Sequence, residues 1–251
     1  MMEKVFARTK GLTDKPFHYC PGCTHGIIHR LIAEVMCELD ILDETIGVSS
    51  VGCTYNNYEY FACDMVQAAH GRAPAVATGI KRVHPDNMVF TYQGDGDLAA
   101  IGTAEIIHAA ARGEKICTFF ANNAVYGMTS GQMAPTTLLG QVTTTSPFGR
   151  DADLQGYPIN VCEMLATLPG AVYLERVKVT DFKSIQQAKK AIRKAFRVQQ
   201  QRLGFALVEI LSTCPTNWGK SPAESLAWVD QVMVPQYPLG VFRGADLEVD
   251  A

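Results

Sequence analysis

Two short runs in this chain hold oxygen donors at a spacing that could serve a metal and a phosphate. The first is Gln93-Gly94-Asp95-Gly96-Asp97; the second, with Asn123 lying 28 positions beyond Asp95, is Asn122-Asn123-Ala124-Val125-Tyr126-Gly127. Each follows an apolar run that predicts a strand, and a helical pattern over 98–112 lies between them. In a right-handed βαβ unit both strands end on one carboxyl edge of the sheet, so Asp95 and Asn123 can converge. A carboxylate, an amide oxygen and a backbone carbonyl suit Mg2+, with diphosphate oxygens completing the octahedron. Gly94 and Gly96 permit close approach to the backbone, and a helix opening at Asp97 favours phosphate charge. Gly-Asp-Gly read alone is more simply a tight turn with a helix cap; the second run at this spacing favours the cofactor site.

Eight cysteines point to a second chemistry. Cys20-Pro21-Gly22-Cys23 precedes a helical pattern, and Cys53 and Cys214 each follow a predicted strand. A CxxC alone is ambiguous among a redox dithiol, a zinc knuckle and a cluster ligand. Four cysteines in loops, near strand ends, could surround one metal centre. The second CxxC of a zinc ribbon is missing. Cys20, Cys23, His25 and His29 do not make a zinc finger, because one residue separates Cys23 from His25 where roughly 12–15 are needed. Cys37 and Cys117 fall in a predicted helix and strand, and Cys63 and Cys162 in predicted helices; these four read as small buried hydrophobes. In Ala69-His70-Gly71-Arg72-Ala73, which opens a Gly-containing loop, His70 could donate to a diphosphate oxygen and Arg72 could pair with a phosphate or a substrate carboxylate. His70 is otherwise a buried, satisfied histidine.

The elements that must position these residues are legible as an alternation. Apolar, β-branched runs at 45–51, 87–92, 116–121, 171–177 and 205–211 predict buried parallel strands. Helical patterns at 25–39, after Thr24, at 98–112, after Asp97, and at 182–202, after Asp181, have an N-cap candidate each. Ser221 with Glu224 forms a capping box for a helix to about Met233. Alternation of this kind implies a doubly wound, mostly parallel α/β sheet in a single domain over 1–251. The stretch 134–160, rich in Pro, Gly and Thr, breaks the rhythm as a long functional loop. The segment 234–251 is expected to run as an extended tail over a surface. With 47% hydrophobic residues and a net charge of -3, the chain is neither disordered nor a basic nucleic-acid binder. It carries no apolar span of membrane length, and residues 1–14 do not read as a signal peptide, so a cytoplasmic, reducing setting is expected, in which disulfides are disfavoured.

The run QGDGDLAAIGTAEIIHAAARGE followed by NNAVYGMTSGQMAPTT resembles the thiamine-diphosphate-binding motif. More closely, it resembles that of the beta subunits of 2-oxoacid:ferredoxin oxidoreductases, over about Lys15 to Gly240. The resemblance implies the thiamine-diphosphate-binding (diphosphate-domain) fold. It implies Mg2+ ligands at Asp95, Asn123 and the backbone oxygen of Val125, with Gly96, Asp97, Tyr126, Gly127, Met128 and Thr129 along the cofactor. Thr129-Ser130-Gly131-Gln132 matches the family's T-G-G-Q except at Ser130. The resemblance assigns Cys20, Cys23, Cys53 and Cys214 to a [4Fe-4S] cluster, and places Gly52, Cys53, Thr54 and the segment His70-Gly71-Arg72 beside the cofactor. Related subunits can carry a lysine shortly after this cysteine, whereas here the run is Thr54-Tyr55-Asn56-Asn57-Tyr58.

The activity so implied is oxidative decarboxylation of a 2-oxoacid with coenzyme A to acyl-CoA, CO2 and reduced ferredoxin. A 2-oxoglutarate or branched-chain substrate is favoured over pyruvate. The family's activating glutamate comes from a pyrimidine-binding domain that one α/β domain cannot also supply, so an alpha-type subunit and a ferredoxin or ferredoxin-like subunit are the expected partners. Three other readings explain less. A non-redox thiamine decarboxylase or synthase leaves the cysteines without a common role, and a zinc-stabilised binding module leaves Gly-Asp-Gly and Asn-Asn unexplained. A Rossmann dehydrogenase needs GxGxxG after its first strand, which is absent.

Overall fold

The computed structural model describes residues 7–245. The first half of the chain forms α1 (His25–Glu38), β1 (Thr45–Ser49), α2 (Asn57–Tyr60), β2 (Asp64–Gln67), α3 (Ala73–Val83), β3 (Met88–Gly94), α4 (Thr103–Ala111) and β4 (Cys117–Asn122). The second half forms α5 (Ala152–Gln155), α6 (Val161–Ala166), β5 (Ala171–Lys178), α7 (Phe182–Gln200), β6 (Phe205–Leu211), α8 (Pro215–Trp218), α9 (Pro222–Trp228), α10 (Val234–Gln236) and β7 (Gly240–Arg243). The strands lie in one sheet in the order β2-β1-β3-β4-β6-β5-β7. All pairings are parallel except that of β7, which runs antiparallel to β5 at the edge. This is the doubly wound α/β sheet that the alternation of patterns implies.

Strand side chains alternate between two helix layers, as the two-residue repeat of a strand requires. Phe90 and Tyr92 of β3, Phe119 of β4 and Val208 of β6 join one core with Ile28 and Ile32 of α1 and Ile192 and Phe196 of α7. Val89, Phe120 and Leu207 point the other way, into a core with Ala77 of α3, Ile106 of α4 and Leu165 of α6. Helix α7 is fastened at its start by a capping box between Asp181 and Ser184, and α9 by one between Ser221 and Glu224. Its Lys189 and Arg193 pair with Glu34 and Glu38 of α1, so part of the basic face of α7 is spent on helix packing.

Several elements depart from the expectation. Thr24 does not cap α1; its hydroxyl instead meets Ser212 Oγ at 2.8 Å and accepts the Thr213 N–H at 3.0 Å, tying α1 to the end of β6. Asp97 does not cap the helix after β3 either. That helix opens as a wide π-type turn over Gly96–Ile101 before α4 begins. The loop expected after Ala73 is a helix, α3, with Pro74 in its first turn. Cys63 lies in a bend before β2 and not in a helix. The tail is only partly extended: 234–236 form a helical turn and 240–243 an edge strand, and residues 246–251 lie outside the described ones, as do the first six of the N-terminal segment. No helix among the described residues is long and apolar enough to cross a membrane.

Two charged strand residues are buried within the sheet, on adjacent strands. Arg176 of β5 and Glu209 of β6 are register partners, both fully buried. Their Nε and Oε2 atoms are 2.9 Å apart, close enough for attraction although not aligned as a hydrogen bond.

His25 and His29 of α1 are also buried, among Tyr19, Tyr60 and Tyr92. Burial pushes His25 down to about 4 and His29 well below its ordinary value. Both therefore stay neutral in the fold and take up protons only on unfolding. Their stabilising contribution is complete above about pH 6.5 and is lost as pH falls toward 4, by up to about 1.4 kcal/mol per pH unit for each. The melting temperature should fall steeply over that window, and His29→Gln should flatten the slope when melts are run at half-unit steps.

Candidate functional site

The carboxyl ends of β1, β3, β4 and β6 stand side by side, so the loops that leave them share one edge of the sheet. Together they enclose two adjoining hollows. The first is lined by Gly52, Cys53 and Thr54 after β1, by residues 94–97 at the end of β3, and by Asn123 and residues 125–129 after β4, with His25 and His70. The structure thus brings almost all of the expected cofactor residues to one place.

Asp95 is 2% exposed at the end of β3. Its Oδ1 accepts the Asn123 N–H at 3.0 Å and its Oδ2 accepts the Thr136 hydroxyl at 2.6 Å. Burial pushes its carboxyl up to about 7, against the pull of those donors. Asn123 lies beside it, and its Oδ1 is 3.3 Å from the Val125 N–H. Hard oxygen donors on a buried carboxylate that lacks a cationic partner among the described residues fit a divalent cation. Room for a diphosphate is present as well. A Cβ on Gly52 or Gly94 would meet nothing within 4 Å, whereas one on Gly96 would come within 2.1 Å of the Tyr126 ring. The Thr54 hydroxyl is buried and has no hydrogen-bond partner among the described residues, so it is available to a ligand. Gly96→Ala should therefore displace Tyr126, destabilise the fold by about 1–3 kcal/mol and weaken thiamine diphosphate binding at least tenfold in a calorimetric titration.

The His70-Gly71-Arg72 segment divides. Asp97 uses Oδ1 to accept from His70 Nδ1 and from the Gly71 N–H, both at 2.7 Å, and Oδ2 to accept from Gln93 Nε2. Its task is therefore to hold His70 at the wall of the hollow, leaving Nε2 as the ring nitrogen that can face a ligand. Gly71 contributes only that backbone N–H, with φ +77°. Arg72 does not line the hollow: its guanidinium pairs with the largely buried Glu105 of α4. Arg72 is the N-cap of α3, and its side chain leaves the loop where that helix begins.

The second hollow is lined by Cys20, Cys23, Cys53 and Cys214 together with His18, His25 and Asn217. Gly127 lies against it: a Cβ there would stand 3.1 Å from Cys53 Sγ and 3.5 Å from Cys214 Sγ. Burial, with the charges of neighbouring thiols, pushes Cys23 and Cys53 up to about 12. Asn217 Nδ2 donates to Cys214 Sγ at 3.1 Å and to the Gly127 carbonyl at 2.7 Å, which links the two hollows. Soft thiolate donors around a hollow of this kind suit an iron–sulfur cluster. Among the described residues, no group of three His, Cys, Asp or Glu side chains is arranged to hold a single metal ion. The other cysteines lie elsewhere. Cys37 contacts Thr9, Cys63 packs on Met65, Cys117 donates to the Ala195 carbonyl, and Cys162 is buried in α6.

Thr136, Gln93 and Asn217 were not anticipated as parts of the site. Gln93 opens the first motif run and Asn217 lies three positions beyond Cys214, where type and position could have marked them. Thr136 reaches Asp95 across 41 positions from within the long loop, and no local pattern signals that contact.

With this geometry in view, comparison with known proteins gives a consistent result. Residues 46–210 match the family model of the thiamine pyrophosphate enzyme, C-terminal TPP binding domain. The chain is 49% identical over 249 residues to the ketoisovalerate oxidoreductase subunit VorA of Methanothermobacter thermautotrophicus, covering 99% of this chain and 52% of that one. It is 38% identical over 207 residues to the 2-oxoglutarate synthase subunit KorB of Methanocaldococcus jannaschii, covering 82% of this chain and 72% of the relative. The chain thus spans about half the length of the ketoisovalerate oxidoreductase subunits it matches. A solved structure of 2-oxoglutarate:ferredoxin oxidoreductase from Magnetococcus marinus, with 2-oxoglutarate, coenzyme A and succinyl-CoA bound, shares the fold. It has a TM-score of 0.74 at 24% identity over 95% of this chain and 84% of that one. The match to the thiamine pyrophosphate domain, together with the extent of the KorB-type match, means that this chain belongs to the family of beta-type, thiamine-pyrophosphate-binding subunits of 2-oxoacid:ferredoxin oxidoreductases.

Proposed function

We propose that this chain forms one wall of a heteromeric enzyme that oxidatively decarboxylates a 2-oxoacid with coenzyme A, giving acyl-CoA, CO2 and reduced ferredoxin. The observation that carries this reading is that the two hollows share His25, Cys53, Asn123 and Gly127 as a common partition. A site for decarboxylation and a site for one-electron transfer would thus be next to each other. Asp95, Asn123 and the Val125 carbonyl would hold Mg2+, and Cys20, Cys23, Cys53 and Cys214 a [4Fe-4S] cluster. Thiamine diphosphate supplies the electron sink for the departing carboxylate, and the cluster supplies a one-electron outlet.

The chain's own residues bind and orient. His70, fixed by Asp97, offers a ring nitrogen, Thr54 a free hydroxyl, and the partition excludes water between the two centres. The carboxylate that activates the aminopyrimidine would come from an alpha-type partner, and a ferredoxin or ferredoxin-like subunit would take the electrons. No Lys or Arg lines the first hollow among the described residues. The lack of such a cation, with the higher identity to ketoisovalerate oxidoreductase subunits, favours a branched-chain 2-oxoacid. 2-Oxoglutarate, whose second carboxylate wants a cation, is the second reading. A reducing cytoplasm suits eight free thiols.

The test is reconstitution with the partner chain under anaerobic conditions. Viologen reduction should require thiamine diphosphate, Mg2+, coenzyme A and both chains, with 2-ketoisovalerate preferred over 2-oxoglutarate. Full turnover by this chain alone would refute the two-chain reading.

A further inference from the structure

The buried ion pair Arg176–Glu209 lies beneath the candidate metal loop and has no role in the site described above. Glu209 Oε1 accepts from Asn122 Nδ2 at 2.7 Å, and Asn122 Oδ1 in turn accepts the Ala124 N–H at 3.1 Å. All four residues are fully buried. Ala124 has φ +57°, a left-handed conformation that an L side chain resists. Its carbonyl is held from the other side by the Thr137 hydroxyl at 2.6 Å and by Gln141. Ala124 stands between Asn123 and Val125, so its backbone turn sets how the amide oxygen of one and the carbonyl of the other are presented.

The direction of the first link follows from donor chemistry. An ionised carboxylate only accepts, so it obliges Asn122 to turn its NH2 toward Glu209 and leaves its oxygen for Ala124. Arg176 compensates the buried charge. It also reaches Glu163 through Nη1 at 2.9 Å and Nη2 at 2.5 Å, and the Pro238 carbonyl at 3.1 Å. A buried pair of this kind contributes little net stability over an apolar pair of similar size, and this one is not even aligned as a hydrogen bond. Its use must lie in what Glu209 fixes.

We propose that Glu209, compensated by Arg176, is a positioning residue for the metal loop: it locks the Asn122 amide, which clamps the left-handed turn at Ala124 and so sets Asn123 and Val125. The inference rests on the reading that those two residues hold the divalent cation. Its effect is a pre-set geometry, which groups behind metal ligands supply at 10–100-fold in affinity.

The test measures Mn2+ binding by electron paramagnetic resonance in the assembled complex with thiamine diphosphate, alongside thermal melts. Arg176→Met/Glu209→Met removes the pair without leaving a lone charge. It should melt at or above the wild-type temperature and bind Mn2+ at least tenfold more weakly. Glu209→Gln keeps an oxygen for Asn122 and should bind within about threefold of wild type. Should the double variant melt early, Asn122→Ala leaves the ion pair whole and carries the same expectation of at least tenfold weaker binding. Wild-type Mn2+ affinity in a folded double variant, or in Asn122→Ala, overturns the proposal. An Asp95→Asn control separates the two levels: unweakened Mn2+ binding there places the metal elsewhere and removes the reading on which the inference rests.

Discussion

Asp95→Asn should abolish Mg2+-dependent binding of thiamine diphosphate and at the same time raise the stability of the empty chain. Both effects come from one property. The carboxylate is 2% exposed, has no cationic partner among the described residues, and is pushed by burial up to about 7. In the empty fold the group therefore prefers its proton. A raised carboxyl contributes stability that is complete below its unfolded value near 3.9 and is lost as pH rises through about 7. At pH 8 the empty wild-type chain carries a buried negative charge, and an amide in its place should raise stability by on the order of 2 kcal/mol. The amide oxygen can still accept the Asn123 N–H, and its NH2 can donate to the Thr136 hydroxyl, which then turns from donor to acceptor, so both local contacts can be kept. What is lost is the charge that draws the cation. Groups that merely orient a metal ligand are worth 10–100-fold in affinity, so replacing the ligand itself should cost more than about 100-fold. The wild-type chain should also bind the Mg2+ cofactor more tightly at pH 8 than at pH 6, because the proton competes with the metal, and the variant should lose that dependence. Calorimetric titration at the two pH values, with melts of the empty chain, reads all three effects. Retained cofactor affinity in the Mg2+-loaded variant would falsify the assignment.

The β-strands and the two motif runs were legible because each is a local pattern with a physical cause. Buried parallel strands need short β-branched runs, and five such runs fall on β1, β3, β4, β5 and β6. The convergence of Asp95 and Asn123 followed from topology alone. β2 and β7 escaped notice because edge strands are short and half-solvated: Asp64–Gln67 and Gly240–Arg243 contain no fully buried residue. Helix α3 was hidden behind the glycine and proline that open it. Arg72 shows the limit of transferring a motif as a block, since one turn of backbone separates a wall residue from an outward-facing one. Thr136 and Glu209 mark a different limit. They act on Asp95 and Asn122 from 41 and 87 positions away, and nothing in their own neighbourhoods distinguishes a threonine in a loop or a glutamate in a strand from any other. Only the packed sheet makes them neighbours of the site.

The cysteines should sort into two sets of four. Serine at Cys20, Cys23, Cys53 or Cys214 should lower bound iron and acid-labile sulfide, by at least half in the complex purified without oxygen, or leave a cluster that bleaches within minutes of exposure to air. Serine at Cys37, Cys63, Cys117 or Cys162 should leave both at the wild-type level. The division follows from placement. The first four line one hollow, and mutual proximity helps raise Cys23 and Cys53 toward 12. Held so high, Cys23 and Cys53 stay protonated at neutral pH, so crowding alone gives these thiols no stabilising charge interaction. A cationic iron centre reverses this, because a coordinating thiol is deprotonated outright. Within the set Cys20 is the most exposed, so its serine variant should be the most labile to oxygen and the least damaging to the fold. Cys53 is the informative member, since its loop faces both hollows: Cys53→Ser should lower iron content and also weaken thiamine diphosphate binding, whereas Cys20→Ser should leave cofactor affinity within about threefold. Cys214 depends on Asn217, which donates to its sulfur, and Asn217→Ala should shift the cluster's potential while leaving iron content intact, because hydrogen bonds to the sulfurs tune potential more than they hold metal. A full, air-stable cluster in Cys214→Ser would mean that the fourth ligand is another group.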